Sequence, residues 1–99
     1  MVGVGITSKG KRLEFVCNDI LSCHNSDLVS LEVPDGVKSV YCYGNQLTEL
    51  IIPKSVKTVY CNNNKLTELI ITDSVTLLSC DKEVSGLYEL IGKIIIYLW

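Results

Sequence analysis

The chain repeats itself every 19 residues, and a period that short leaves very few folds open. Val37-Lys38-Ser39-Val40-Tyr41-Cys42 is answered by Val56-Lys57-Thr58-Val59-Tyr60-Cys61. Leu47-Thr48-Glu49-Leu50-Ile51-Ile52 is answered by Leu66-Thr67-Glu68-Leu69-Ile70-Ile71. A unit of this size cannot close a core by itself. It buries its apolar face only by stacking on the next copy, which defines a solenoid.

Within each unit the apolar residues alternate with polar ones, the period of a short strand. Val40/Cys42 recurs as Val59/Cys61, Leu78/Cys80 and Leu21/Cys23. Steps of the same size reach Val2/Val4 at one end and Tyr97/Trp99 at the other. Strands one coil apart run parallel at about 4.8 Å. Asn45 and Asn64 close the two central strands, where an amide side chain satisfies backbone groups in the turn. Ser26 and Glu83 fill that column in the outer coils. Leu28, Leu31 and Val33, then Leu47, Leu50 and Ile52, then Leu66, Leu69 and Ile71 supply the opposite wall. Pro34 and Pro53 end those segments, and Val37, Val56 and Val75 follow. A coil this short has no room for a full helix, so extended or 3₁₀ segments are expected on the convex side. The predicted fold is a β-rich solenoid with one parallel sheet of about five to six short strands.

The whole chain, 1–99, reads as one domain, regular over about 20–82 and irregular in its end coils, 1–19 and 83–99. Leu13 and Phe15 lie 18 residues before Leu31 and Val33, which makes the first loop one residue short. Leu87 and Leu90 lie 21 residues after Leu66 and Leu69, so a two-residue insertion is expected in Glu83-Val84-Ser85-Gly86. Leu87, Leu90, Ile91 and Ile94 also fit a helical stripe, but the β-branched run in 94–99 favours a strand there.

At 47% hydrophobic and 20% charged, the composition is that of a globular domain and excludes disorder. A net charge of −2 with no block of like charges leaves no basic footprint for nucleic acid or an anionic membrane. The N-terminus lacks the charged-then-apolar order of a secretory signal. The longest apolar stretch, 87–99, is too short to span a bilayer and carries Glu89 and Lys93. A cytoplasmic, soluble protein is the resulting expectation.

Val37, Val40, Cys42, Asn45, Leu47, Leu50 and Pro53, then Val56, Val59, Cys61, Asn64, Leu66 and Leu69, spell LxxLxCxxNxLxxLxxP with Val at several Leu positions. This string resembles leucine-rich repeat proteins, most closely the short-repeat varieties of bacterial effectors and large DNA viruses. Ile52-Pro53-Lys54-Ser55-Val56 also resembles the treponemal-type repeats, which are longer and carry an Ala-Phe absent here. The resemblance implies a right-handed parallel solenoid whose strand face binds other proteins. It brings no catalytic residues.

Cys23, Cys42, Cys61 and Cys80 form one inward file. A straight file cannot surround a metal tetrahedrally, and parallel Cβ vectors about 4.8 Å apart do not suit a disulfide. Buried free thiols in a reducing compartment are expected, with no cofactor and no metal. Cys17 stands outside the file and is the cysteine to watch for reactivity. His24, with Ser22 and Asp27 close in sequence, reads as a solvated surface residue, not as part of a triad. Glu49 and Glu68 stack on the convex side beside Lys54 and Lys65 as an exposed face.

The outward strand residues are the candidates for function. Ser22, Tyr41, Tyr60 and Ser79 form one column, and His24, Tyr43, Asn62 and Asp81 form the next, bordered by Lys38, Lys57, Asn63 and Lys82. Tyrosines flanked by amides give large contact area at low side-chain entropy cost, the composition of interface hot spots. Tyr41, Tyr43, Tyr60, Asn62, His24, Lys38 and Lys57 are therefore the predicted partner-binding set of a protein–protein interaction module. By resemblance such a module belongs to a viral or bacterial host-interaction protein. The alternative is a structural protein that forms a homodimer by pairing its C-terminal strand through Ile94, Ile96, Tyr97, Leu98 and Trp99. A third possibility, an enzyme, lacks a nucleophile, base and orienter in one place.

Overall fold

The computed structural model describes residues 1–81, 84 and 95–98. Among them, ten strands follow one another with no helix between: β1 (Val2–Thr7), β2 (Arg12–Val16), β3 (Ile20–Ser22), β4 (Leu28–Glu32), β5 (Ser39–Tyr41), β6 (Glu49–Ile51), β7 (Thr58–Tyr60), β8 (Glu68–Ile70), β9 (Leu77–Cys80) and β10 (Ile95–Leu98).

The 19-residue period becomes a stack of coils. β3, β5, β7 and β9 pair in parallel, with Leu21 opposite Val40, Val40 opposite Val59, and Val59 opposite Leu78. β10 continues this wall on β9, giving five strands in the order β10-β9-β7-β5-β3. At the start of each strand one carbonyl staples the next coil. The Lys38 carbonyl accepts from the N–H groups of Lys57 (2.7 Å) and Thr58 (3.2 Å), and Asp19 and Lys57 repeat the arrangement.

The convex side is more regular than expected. Its segments take the extended form, one of the two expected, and β6 and β8 go on to form a second parallel sheet, with Leu50 opposite Leu69. The expectation of a single parallel sheet is thus corrected to two facing walls. Leu21, Val40, Val59, Leu78 and the cysteine file fill the interior from one wall. Leu28, Leu47, Leu50, Ile52 and Leu66 fill it from the other, and Val37, Val56 and Val75 plug the corner. Burying each large aliphatic side chain contributes about 1.5–3 kcal/mol, and no single coil can supply that without its neighbours.

The first coil departs from the reading of the sequence. Val2 and Val4 do not enter the parallel sheet. β1 and β2 form an antiparallel hairpin, with Gly5 opposite Leu13, and β1 then pairs antiparallel with β4. Gly3 and Gly5, not the valines, face the core. A Cβ on Gly5 would lie 2.6 Å from a Leu28 methyl, and one on Gly3 2.9 Å from a Leu21 methyl. The hairpin backbone therefore lies flat on two fully buried leucines and caps the solenoid. Leu13 and Phe15 sit on β2 and pack against the core edge from there, not as a short coil. The signal for this hairpin is Thr7-Ser8-Lys9-Gly10-Lys11, a three-residue loop with glycine at φ +81°. Thr7 and Lys11 close it, the Thr7 N–H donating to the Lys11 carbonyl at 2.9 Å. Ser8 ties the cap to the first coil through the Asp27 carboxylate, which also accepts from Gln46.

The far end differs by one residue. Ile96 and Leu98, not Tyr97 and Trp99, stand opposite Leu78 and Cys80. A one-residue slip exchanges the two faces of a strand, so Tyr97 joins the outward face beside Ser79. Strand conformation for the tail holds over Ile95–Leu98. Ile94 and Trp99, the helical-stripe positions Leu87, Leu90 and Ile91, and the expected insertion apart from Val84 lie outside the described residues.

Candidate functional site

The outward face of the five-stranded wall carries its residues in columns one rung apart. Tyr41 stands opposite Tyr60, and their rings tilt against each other with centroids 5.0 Å apart. The next column brings His24 over Tyr43 in a near-parallel stack, centroids 4.8 Å apart with planes at 10°. Both pairs follow directly from the period. Parallel strands with no register shift place equivalent side chains one strand spacing apart, within the distance at which rings stack.

Of the predicted set, Tyr41, Tyr43, Tyr60, Asn62 and His24 share this face, and Lys38 and Lys57 project from the stapled strand starts beside it. Both lysines are exposed, and among the described residues neither has a carboxylate within ion-pair distance. Asn62 is held in place, its Oδ1 accepting from the Ser79 hydroxyl at 3.1 Å. Tyr97 was assigned by the sequence to the inner face and belongs to this one.

Asp81 is the residue whose role the sequence reading missed. Its carboxylate accepts from the N–H of Asn63 (2.8 Å) and of Asn64 (3.0 Å), one coil earlier. It thereby fixes the turn that bears Asn62. A short acidic side chain directly after a strand is the available signal, since such groups satisfy turn N–H donors.

The turns on this side are built by the asparagine ladder. The Asn45 carboxamide accepts from the Ser26 and Leu28 N–H groups (2.9 and 3.0 Å) and donates to the carbonyls of Cys23 and Cys42 (3.0 and 2.9 Å). Asn64 repeats the motif on Leu47, Cys42 and Cys61. Asn25, Gly44 and Asn63 occupy one position in three successive coils, all left-handed at φ 52°, 73° and 56°. The bend demands that conformation, and asparagine and glycine adopt it at least cost.

The Ser22 hydroxyl lies 3.1 Å from His24 Nδ1, but the Asp27 carboxylate is turned to Ser8 and Gln46 and does not complete a triad with them. Among the described residues, no three His, Cys, Asp or Glu side chains converge as a metal-ligand set. All five cysteines are buried free thiols, and Cys17, the one to watch for reactivity, is buried with the rest. Burial pushes the Cys23 thiol up to about 12, with Cys17 beside it adding to the effect. Burial also raises Cys80 to about 11, with the Asp81 carboxylate contributing. Cys42 and Cys61 are raised as well, again chiefly by burial and then by neighbouring cysteines, with Asp81 also contributing at Cys61.

Compared with models of protein families, with curated proteins and with solved structures, the chain matches none of them.

Proposed function

We propose that this protein is a recognition module of the leucine-rich-repeat kind, a right-handed solenoid that presents its tyrosine-bearing face to a partner protein. The observation that carries the proposal is the pairing of Tyr41 with Tyr60 beside the His24–Tyr43 stack. Four rings held by a stapled parallel wall lose little conformational entropy on binding, which is how rigid aromatic anchors gain affinity. Lys38 and Lys57 give the face a basic border. Five unpaired cysteines support a reducing, cytoplasmic setting. The test is capture from cell lysate by the full chain and by a Tyr41→Ala/Tyr43→Ala/Tyr60→Ala variant, with circular dichroism to confirm the fold. Partners held by the parent chain and lost by the folded variant support the reading. An unchanged set of captured proteins sinks it.

A second reading, self-association through β10, rests on Ile95, Tyr97 and Leu98, which are 58%, 55% and 57% exposed. Sedimentation of the full chain beside a Tyr97→Lys variant addresses it. A monomer at high micromolar concentration, unchanged by the substitution, removes it.

A further inference from the structure

β4 and β6 occupy successive positions of the repeat, as β6 and β8 do, yet only the second pair forms a ladder. β4 forms its ladder with β1 of the cap, with Glu32 opposite Val4 and Ser30 opposite Ile6. At the turn the two coils still touch, the Gln46 N–H donating to the Leu28 carbonyl at 2.8 Å. Beyond that point a cleft of about 280 Å³ opens between them, lined by Ser30, Leu31, Glu32, Val33, Glu49 and Ile51.

The cleft lays open part of the core. Leu50 and Ile52 are 1% and 2% exposed, whereas Leu31 and Val33, the same positions one coil earlier, are only partly buried. Ile51 is 60% exposed at the opposite lip. Glu32 and Glu49 line the cleft too, and among the described residues no cation lies within ion-pair distance of either.

We propose that this cleft docks an extended segment of a partner protein in which lysine or arginine alternates with small aliphatic residues. The argument is charge complementarity joined to shape. Leu31, Val33 and Ile51 cover the methylene stem of a long basic side chain while its head reaches the two carboxylates. A neutral aliphatic segment leaves those carboxylates to be desolvated unpaired, and an acidic one is repelled by them. The site is on the other wall from the tyrosine face and stands or falls separately from it. The chain's own basic hairpin tip, with Lys9 and Lys11 exposed, is the competing occupant, presented by a second copy.

The test titrates the full, methyl-labelled chain with acetyl-Val-Lys-Val-Lys-Val-amide and follows methyl resonances by NMR. Saturable shifts of Leu31, Val33 and Ile51 are expected. They should be weakened by added salt and on the order of fivefold weaker in folded Glu32→Gln/Glu49→Gln, since exposed ion pairs are individually small and screened. The same peptide with glutamate for lysine should leave these methyls unmoved, and Tyr41→Ala/Tyr60→Ala should bind as the parent does. Shifts confined to the tyrosine face, no saturation, or equal binding by the Gln variant overturns the proposal. So does a shift of the same methyls with the chain's own concentration that vanishes in Lys9→Glu/Lys11→Glu, because a second copy then fills the cleft.

Discussion

Asn45 reaches across a coil boundary. One amide nitrogen donates both to the Cys23 carbonyl, 22 residues back, and to the Cys42 carbonyl of its own coil, at 3.0 and 2.9 Å. Each asparagine of the ladder therefore closes its own turn and fastens the previous one.

Replacing Asn45 by alanine should strand the Ser26 and Leu28 N–H donors and the Cys23 carbonyl in a buried turn, while the Cys42 carbonyl keeps its bond from Asn64. A buried group left unpaired costs about 1–3 kcal/mol, so the urea midpoint should fall by at least that equivalent. Asn45→Asp should be no milder, since its oxygen faces carbonyls that require a donor. A midpoint unchanged in both variants would mean that water replaces the ladder freely.

Gly5→Ala tests the cap. The added methyl meets the side chain of buried Leu28, and the overlap should cost about 1–3 kcal/mol. Amide exchange should show β1 and β2 opening first, ahead of the central coils. If the hairpin stays as protected as in the parent chain, it does not lie on Leu28 as described.

Leu50→Ala and Leu31→Ala form a matched pair one coil apart. The first empties an enclosed site and should cost about 2–5 kcal/mol. The second removes a side chain already at the cleft and should cost clearly less. Equal losses would argue that β4 and β6 close up in solution.

The cysteine file sets an upper pH limit on stability. Unfolded thiols ionise near 9.0, while Cys80 and Cys23 hold their protons to about 11 and 12. A raised folded pKa means that the unfolded chain loses protons first, so stability is intact below pH 9 and declines as pH rises through the folded values. Thermal melts between pH 8 and 11 should show the fall, with Cys42→Ala and Cys61→Ala flattening it. At neutral pH, Cys42 and Cys61 should react with a thiol reagent on the order of a hundredfold slower in the native than in the denatured chain, because reaction waits on opening. Rapid native labelling of Cys42 would reverse the assignment of the two sheet faces.

Most of the central architecture is legible in the sequence. The step from Val40/Cys42 to Val59/Cys61 determines that these strands stack in parallel, that the cysteines form an inner file, and that Tyr41 meets Tyr60 outside. A short-period solenoid makes every contact a neighbour contact, so periodicity alone carries register, face and column. The asparagine positions follow for the same reason. Tertiary structure decided the places where the period meets its ends. Gly3 and Gly5 displaced Val2 and Val4 from the core because β1 runs antiparallel to β4 across the first coil, and a glycine backbone can cover Leu21 and Leu28 where a valine side chain overlaps them. Ile96 displaced Tyr97 because β10 pairs with β9 one residue short of the repeat, and a one-residue slip exchanges the two faces of a strand. The cleft beside Ile51 arises in the same way. β4 forms a ladder with β1 and none with β6, leaving a seam that the 19-residue period does not encode.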